Sequence, residues 1–66
     1  MGRFVVVMPE RGTSESFARA DGAYRWLDGH ARNGDPYQLW WVDDRTGASK
    51  ELMESAYQPP RSVQAA

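Results

Sequence analysis

The segment PYQLWWV, residues 36–42, decides the fold because it has the composition and length of a β-strand and places Trp40 beside Trp41. Neighbouring side chains of a strand point to opposite faces of the sheet, so no single core can cover both indole rings. A polar residue, Gln38, shares the Trp40 side and marks that side as exposed. We therefore predict that Trp41 faces the core. The side chains expected on the opposite face of this strand are Gln38, Trp40 and Val42.

The first strand along the chain is predicted from RFVVVM, residues 3–8. This run is β-branched and aromatic, too short for a stable helix, and closed by Pro9. Alternation divides its side chains into two sets. The set expected in the core, with Leu39 and Trp41, consists of Phe4, Val6 and Met8. The set expected on the Trp40 side consists of Arg3, Val5 and Val7.

An amphipathic helix is predicted between these strands. The loop PERGTSES, residues 9–16, ends in hydroxyl side chains suited to capping, with Thr13 or Ser14 as the N-cap. Apolar residues then recur at spacings of three and four, which is the pattern of one helical stripe. The helix is expected to end at Gly29 or at Asn33-Gly34. The stripe expected to face the sheet consists of Phe17, Ala20, Tyr24, Leu27 and Ala31.

A third strand is predicted after the turn DDRTG, residues 43–47, in which Gly47 can take the left-handed position that closes a hairpin loop. The strand covers about residues 48–54. The intrinsic propensity of the same residues is helical, so a helix is the alternative.

The predicted fold class is α+β, a small β-α-β-β (split βαβ-like) domain. It consists of a three-stranded antiparallel sheet, with the third strand between the first two, and one amphipathic helix packed on one face. A single domain spans residues 1–57, and residues 58–66 form a disordered C-terminal tail.

The face without the helix carries apolar side chains that a small monomer rarely leaves in water. Three occupants fit this pattern. The tail residues 57–60 could cover Trp40, a second copy of the chain could form a homodimer, or a different and larger protein could bind. The predicted partner-binding residues of this face are Trp40, Val42, Gln38, Val5, Val7 and Arg3.

A second patch is predicted on the helix. Trp26 lies well away from the predicted apolar stripe, on a strip with Arg19, Ala23 and His30, and should be exposed. A surface tryptophan flanked by arginine and histidine is typical of a docking patch. A ring lying over a neighbouring turn or loop is the alternative.

Most chemistries are excluded by residue content. The chain has one His and no Cys, so a triad or a metal site lacks its ligands, and we expect no enzyme activity, metal or cofactor. A weak anion-binding site is predicted where backbone N–H groups, hydroxyls and a cation meet at the helix N-terminus, with plain capping as the alternative. Its residues are Arg11, Gly12, Thr13 and Ser14.

Net charge is −1, which argues against nucleic acid as a partner. No segment is long enough to cross a bilayer, and the absence of cysteine fits a reducing cytoplasm. We predict a cytoplasmic, non-enzymatic protein–protein interaction module, homodimeric, and a bacterial or phage-encoded regulator or inhibitor. The alternative is a single-stranded nucleic-acid-binding module that stacks bases on Trp40.

Overall fold

The computed structural model describes residues 2–59, which form four strands and one helix. The elements are β1 (Gly2–Met8), β2 (Thr13–Phe17), α1 (Ala20–His30), β3 (Pro36–Asp43) and β4 (Ser49–Ala56). The strands form one antiparallel sheet in the order β2-β1-β3-β4. The predicted α+β class is therefore confirmed.

The sheet has four strands where three were predicted, because Thr13–Phe17 is a strand and not a helix N-terminus. Residues 9–12 form a tight turn in which the Arg11 amide donates to the Met8 carbonyl at 3.1 Å. Gly12 takes a positive φ of 66°, which glycine adopts without steric cost. The chain therefore reverses onto β1, with Phe17 opposite Phe4, and the hydroxyl residues expected to cap a helix lie in an edge strand.

The helix begins at Ala20, after an extended Arg19 that makes no side-chain capping hydrogen bond, and ends at His30. Its buried side is centred on Ala23 and Leu27, at 0% and 1% exposure, while Tyr24 is 43% exposed. The predicted stripe was wrong at Tyr24 and Phe17. The prediction used Phe17 to orient the helix, but Phe17 belongs to β2, and the side of the helix that faces the sheet is therefore different.

The predicted strand order was also wrong. The segment PYQLWWV, in β3, lies between β1 and β4, with Trp40 opposite Val5. The most apolar strands occupy the centre of the sheet, whereas β4 is exposed along its whole length. Charged residues such as Lys50 and Glu51 suit an edge strand because they oppose pairing with other chains.

The β3–β4 hairpin confirms both the predicted turn and the predicted strand. The Asp43 amide donates to the Ala48 carbonyl at 2.8 Å, and the Asp43 side chain accepts from the Arg45 amide at 2.8 Å. Gly47 has the expected positive φ, 75°. The register shifts once, between Leu39 and Trp40 of β3, so that β4 carries one extra residue, Leu52, as a bulge.

The core lies between the helix and one face of the sheet, the face predicted. The residue after β4 completes it, because Tyr57 is buried and its hydroxyl donates to Asp28 at 2.6 Å. The Tyr57 backbone bonds to Gly34 at 2.8 Å and to Asp35 at 2.7 Å. The buried residues are Val6, Met8, Ala23, Leu27, Tyr37, Leu39 and Tyr57.

The tail predicted to be disordered comprises residues 58–66. Its residues 60–66 lie outside the described residues. In the part of the chain that the structure describes, no helix has the length and apolarity needed to span a membrane.

The open sheet face as candidate functional site

The sheet face opposite α1, called the open face from here on, is organised in rows by the strand register. Two rows cross the whole sheet from β2 to β4, and alternation puts the members of a row on one side. The first row is Ser16, Val5, Trp40 and Glu51. The second row is Ser14, Val7, Gln38 and Glu54. A third row, which starts on β1, is Arg3, Val42 and Ser49.

The centre of the open face is apolar. It consists of four partly exposed side chains on the two central strands, Val5, Val7, Trp40 and Val42. The helix contacts β1 and β2 from the core side, and Tyr57 is buried beneath it. The hypothesis that the tail residues 57–60 cover Trp40 is therefore wrong for Tyr57, and residue 60 lies outside the described residues. No element within residues 2–59 packs over these four side chains.

A short chain of hydrogen bonds fixes the Trp40 ring. Its indole Nε1 donates to Gln38 Oε1 at 3.1 Å, and Gln38 Nε2 donates to Glu54 Oε2 at 3.1 Å. The polar edge of the indole is thus satisfied inside the molecule. What Trp40 offers to solvent is its apolar surface, held in one orientation.

The two sides of the open face differ in charge. The β4 side carries the carboxylates of Glu51 and Glu54, while the β2 side carries the hydroxyls of Ser14 and Ser16. Arg3 is the one cation in the rows, and its Nη1 bonds to the Asp44 carboxylate at 2.6 Å.

A shallow depression of about 250 Å³ lies on the β2 side of the sheet. It is open to solvent and is lined by Arg3, Val5, Ser14, Glu15 and Ser16.

The Trp26 patch is not the exposed surface predicted. Trp26 is half-buried and packs against the core, with its ring centroid 6.1 Å from that of Phe17. The His30 ring stacks on the indole at 4.6 Å, and its Nδ1 donates to the Trp26 carbonyl oxygen at 2.9 Å. Ala23, predicted on the same exposed strip, is fully buried. Arg19 is exposed but precedes the helix and contacts Asp21.

The predicted anion site loses its physical basis. Arg11 and Gly12 lie in the β1–β2 turn, and Thr13 and Ser14 lie in β2, so no helix N-terminus is present there. The Arg11 guanidinium contacts the Asp35 carboxylate at 3.0 Å. This arginine therefore links the β1–β2 turn to the loop before β3.

Titratable groups with shifted pKa values lie away from the open face. The pKa of Asp35 is lowered, mainly because its carboxylate accepts the Arg32 amide at 2.8 Å and also because Arg11 is close. Burial raises the pKa of Tyr37. The pKa of Tyr57 is raised, chiefly by its hydrogen bond to Asp28. Tyr37 and Tyr57 lie in the core on the helix side of the sheet, and Asp35 lies in the loop before β3.

No cluster of three or more His, Asp or Glu side chains with metal-binding geometry occurs among residues 2–59. Comparison of the chain with protein-family models, curated proteins and solved structures finds no match.

The structure brings together the six predicted residues of the open face and separates them from the Trp26 patch. Sequence reasoning missed the flanking residues Ser14, Ser16, Glu51 and Glu54. The signal for the serines was the Pro9–Gly12 turn, which could have been interpreted as a hairpin. The glutamates could not be assigned to a face, because the bulge at Leu52 changes the alternation of β4.

Proposed function

We propose that this chain is a protein-interaction module and that the open face is its binding surface. The observation that carries the proposal is the position of Val5, Val7, Trp40 and Val42, together at the centre of a sheet face that no helix within residues 2–59 covers. Contiguous apolar surface on a small soluble domain is typical of interaction sites.

The arrangement has the anatomy of a protein interface. An apolar centre is surrounded by polar residues, and the centre contains a tryptophan, a residue type enriched among binding hot spots. The indole is already oriented by Gln38, so a partner does not have to order it. Each Å² of apolar surface that a partner removes from water contributes about 25 cal/mol.

The charges favour protein over nucleic acid. The row of Trp40 ends in Glu51 and the next row ends in Glu54, so a phosphate backbone crossing the sheet would meet carboxylates. Arg3 is engaged by Asp44. Base stacking on Trp40 therefore has little electrostatic support. The role of regulator or inhibitor stays a prediction from size and composition.

Site-specific photo-crosslinking in the native host tests the proposal. Val42 is replaced by p-benzoylphenylalanine to report from the open face, and Arg25, exposed on the helix, is replaced in the same way as the control. We expect adducts to protein from position 42 only, and their loss when Trp40→Ala is added.

Trp40→Ala is a suitable second substitution because Trp40 lies outside the core cluster. The variant should therefore stay folded, which circular dichroism can check. Absence of adducts from position 42, or equal adducts from both positions, would refute the assignment of the open face.

A further inference from the structure

We propose that the occupant of the open face is a second copy of this chain, packed face to face about a two-fold axis that runs parallel to the strands. The inference rests on the proposed function and names its partner. It follows from the distribution of side chains across the rows of the open face.

Two copies that share the same face can be related by an axis along the strands or across them. An axis along the strands reverses the strand order of the second copy, so that β1 lies over the partner's β3 and β2 lies over the partner's β4. An axis across the strands places each strand over its own copy. The row composition distinguishes these two arrangements.

The apolar centre favours the axis along the strands. Val5 and Trp40 are opposite each other in the first row. In this arrangement each Trp40 lies over the Val5 of the other copy, and a large side chain meets a small one, which is how facing layers interdigitate. With the axis across the strands and through this row, Trp40 would meet Trp40 and Val5 would meet Val5.

The polar edges favour the same arrangement. Ser16 and Glu51 are the two ends of the first row, and Ser14 and Glu54 are the two ends of the second. Reversal of the strand order puts each serine hydroxyl, a donor, near a carboxylate of the other copy. An axis across the strands would place the acidic edges against each other, and like charges oppose that assembly.

The size of the face sets the expected affinity. Four strands at about 4.8 Å and rows over about 17 Å give a footprint of roughly 320 Å² per copy, below the roughly 800 Å² of a standard interface. Self-association should therefore be weak and concentration-dependent. The measurement must extend from micromolar to millimolar chain.

A charge-reversal cycle read by sedimentation equilibrium tests the arrangement. Ser16→Glu should raise the dimer Kd about three- to tenfold, because each new carboxylate at position 16 lies near Glu51 of the other copy. A symmetric dimer contains two such repulsive pairs. Glu51→Lys alone should change it little. The double variant should return to the wild-type Kd or below, since the new carboxylate at position 16 then faces the new ammonium at position 51 of the other copy. Within one chain the two positions are about 14 Å apart, beyond the Debye length of about 8 Å.

Thr13→Glu is the matched control, because it adds the same charge to the same strand on the other face. It should leave the Kd unchanged, and circular dichroism should show every variant folded. If the double variant dimerises but its Kd does not return to the wild-type value, the inference is overturned. An axis across the strands would give that result, because it places position 16 near position 16 and position 51 near position 51 of the other copy.

A strict monomer at all concentrations would also overturn it. In that case adducts from position 42 to a different protein would leave the proposed function standing. The absence of any adduct would remove the proposed function as well.

Discussion

Gly2→Ala should destabilise the fold, although it adds a single methyl group to a strand. A Cβ atom at position 2 would lie 2.4 Å from Cζ2 of Trp41 and 2.5 Å from the Val42 carbonyl oxygen. Ordinary contacts begin near 3.4 Å, so the indole must move by about 1 Å and the backbone of β3 must also adjust. The absence of a side chain at Gly2 is what lets Trp41 lie across the end of β1.

The cost can be worked out from these contacts. Displacing Trp41 weakens its edge-on contact with Phe4, where the ring centroids are 5.0 Å apart, and such a pair contributes about 0.5–1.5 kcal/mol. Overpacking of this kind typically costs about 1–3 kcal/mol. Thermal unfolding should therefore shift downward by roughly 4–24 °C, and urea unfolding followed by circular dichroism gives the free energy directly.

Gly29→Ala is the matched comparison, because a Cβ at this helical position meets nothing within 4 Å. Alanine is favoured over glycine in a helix, so this variant should be more stable by about 0.5–1 kcal/mol. The same substitution thus has opposite signs at two positions. If Gly2→Ala proves neutral or stabilising, the close approach of Trp41 to β1 is refuted.

Three further predictions concern the core and the titratable groups. Leu27→Ala should cost about 2–5 kcal/mol in urea unfolding, because Leu27 is 1% exposed; a loss under about 1 kcal/mol would contradict its place in the core. The lowered pKa of Asp35 adds stability above pH 3.8 that is lost as the pH falls through the folded-state pKa. Asp35→Asn should therefore flatten the acid side of the stability profile, and an unchanged slope would be inconsistent with the Arg32 hydrogen bond. The raised pKa of Tyr57 adds stability below pH 10.0 that is lost as the pH rises through the folded-state value. Tyr57→Phe should lower stability at neutral pH and reduce the alkaline loss, as thermal melts between about pH 7 and pH 11 can show.

Prediction from the sequence worked where local patterns dominate. The strands containing Val6 and Leu39, their alternation, and the Gly47 hairpin all follow from period-two patterning and turn chemistry. The sides of Trp40 and Trp41 follow from the same alternation, because one polar residue, Gln38, was enough to orient the strand.

Prediction failed where two structures share one local signature. Thr13 and Ser14 suit a helix cap and an edge strand equally well, and only pairing with β1 decides between them. Because the helix was predicted to start too early, its buried side was assigned wrongly. Trp26 was then predicted to be exposed, and an anion-binding site was predicted at a helix N-terminus that is not there. The flanking charges of the open face depended on the register at Leu52, which tertiary pairing sets.

The strand order also determines how the chain folds in time. The sheet is two hairpins, β1–β2 and β3–β4, each closed by a short turn, and isolated hairpins form in about 1–10 μs. Within the sheet, β1–β3 is the one strand pairing between the two hairpins, and it brings Val5 opposite Trp40 although α1 lies between them in sequence. Bringing β1 and β3 together closes a long loop, and the entropy of that loop is lost before the contacts between the two strands form. The folding rate is therefore governed by the meeting of the two hairpins, not by the formation of either one.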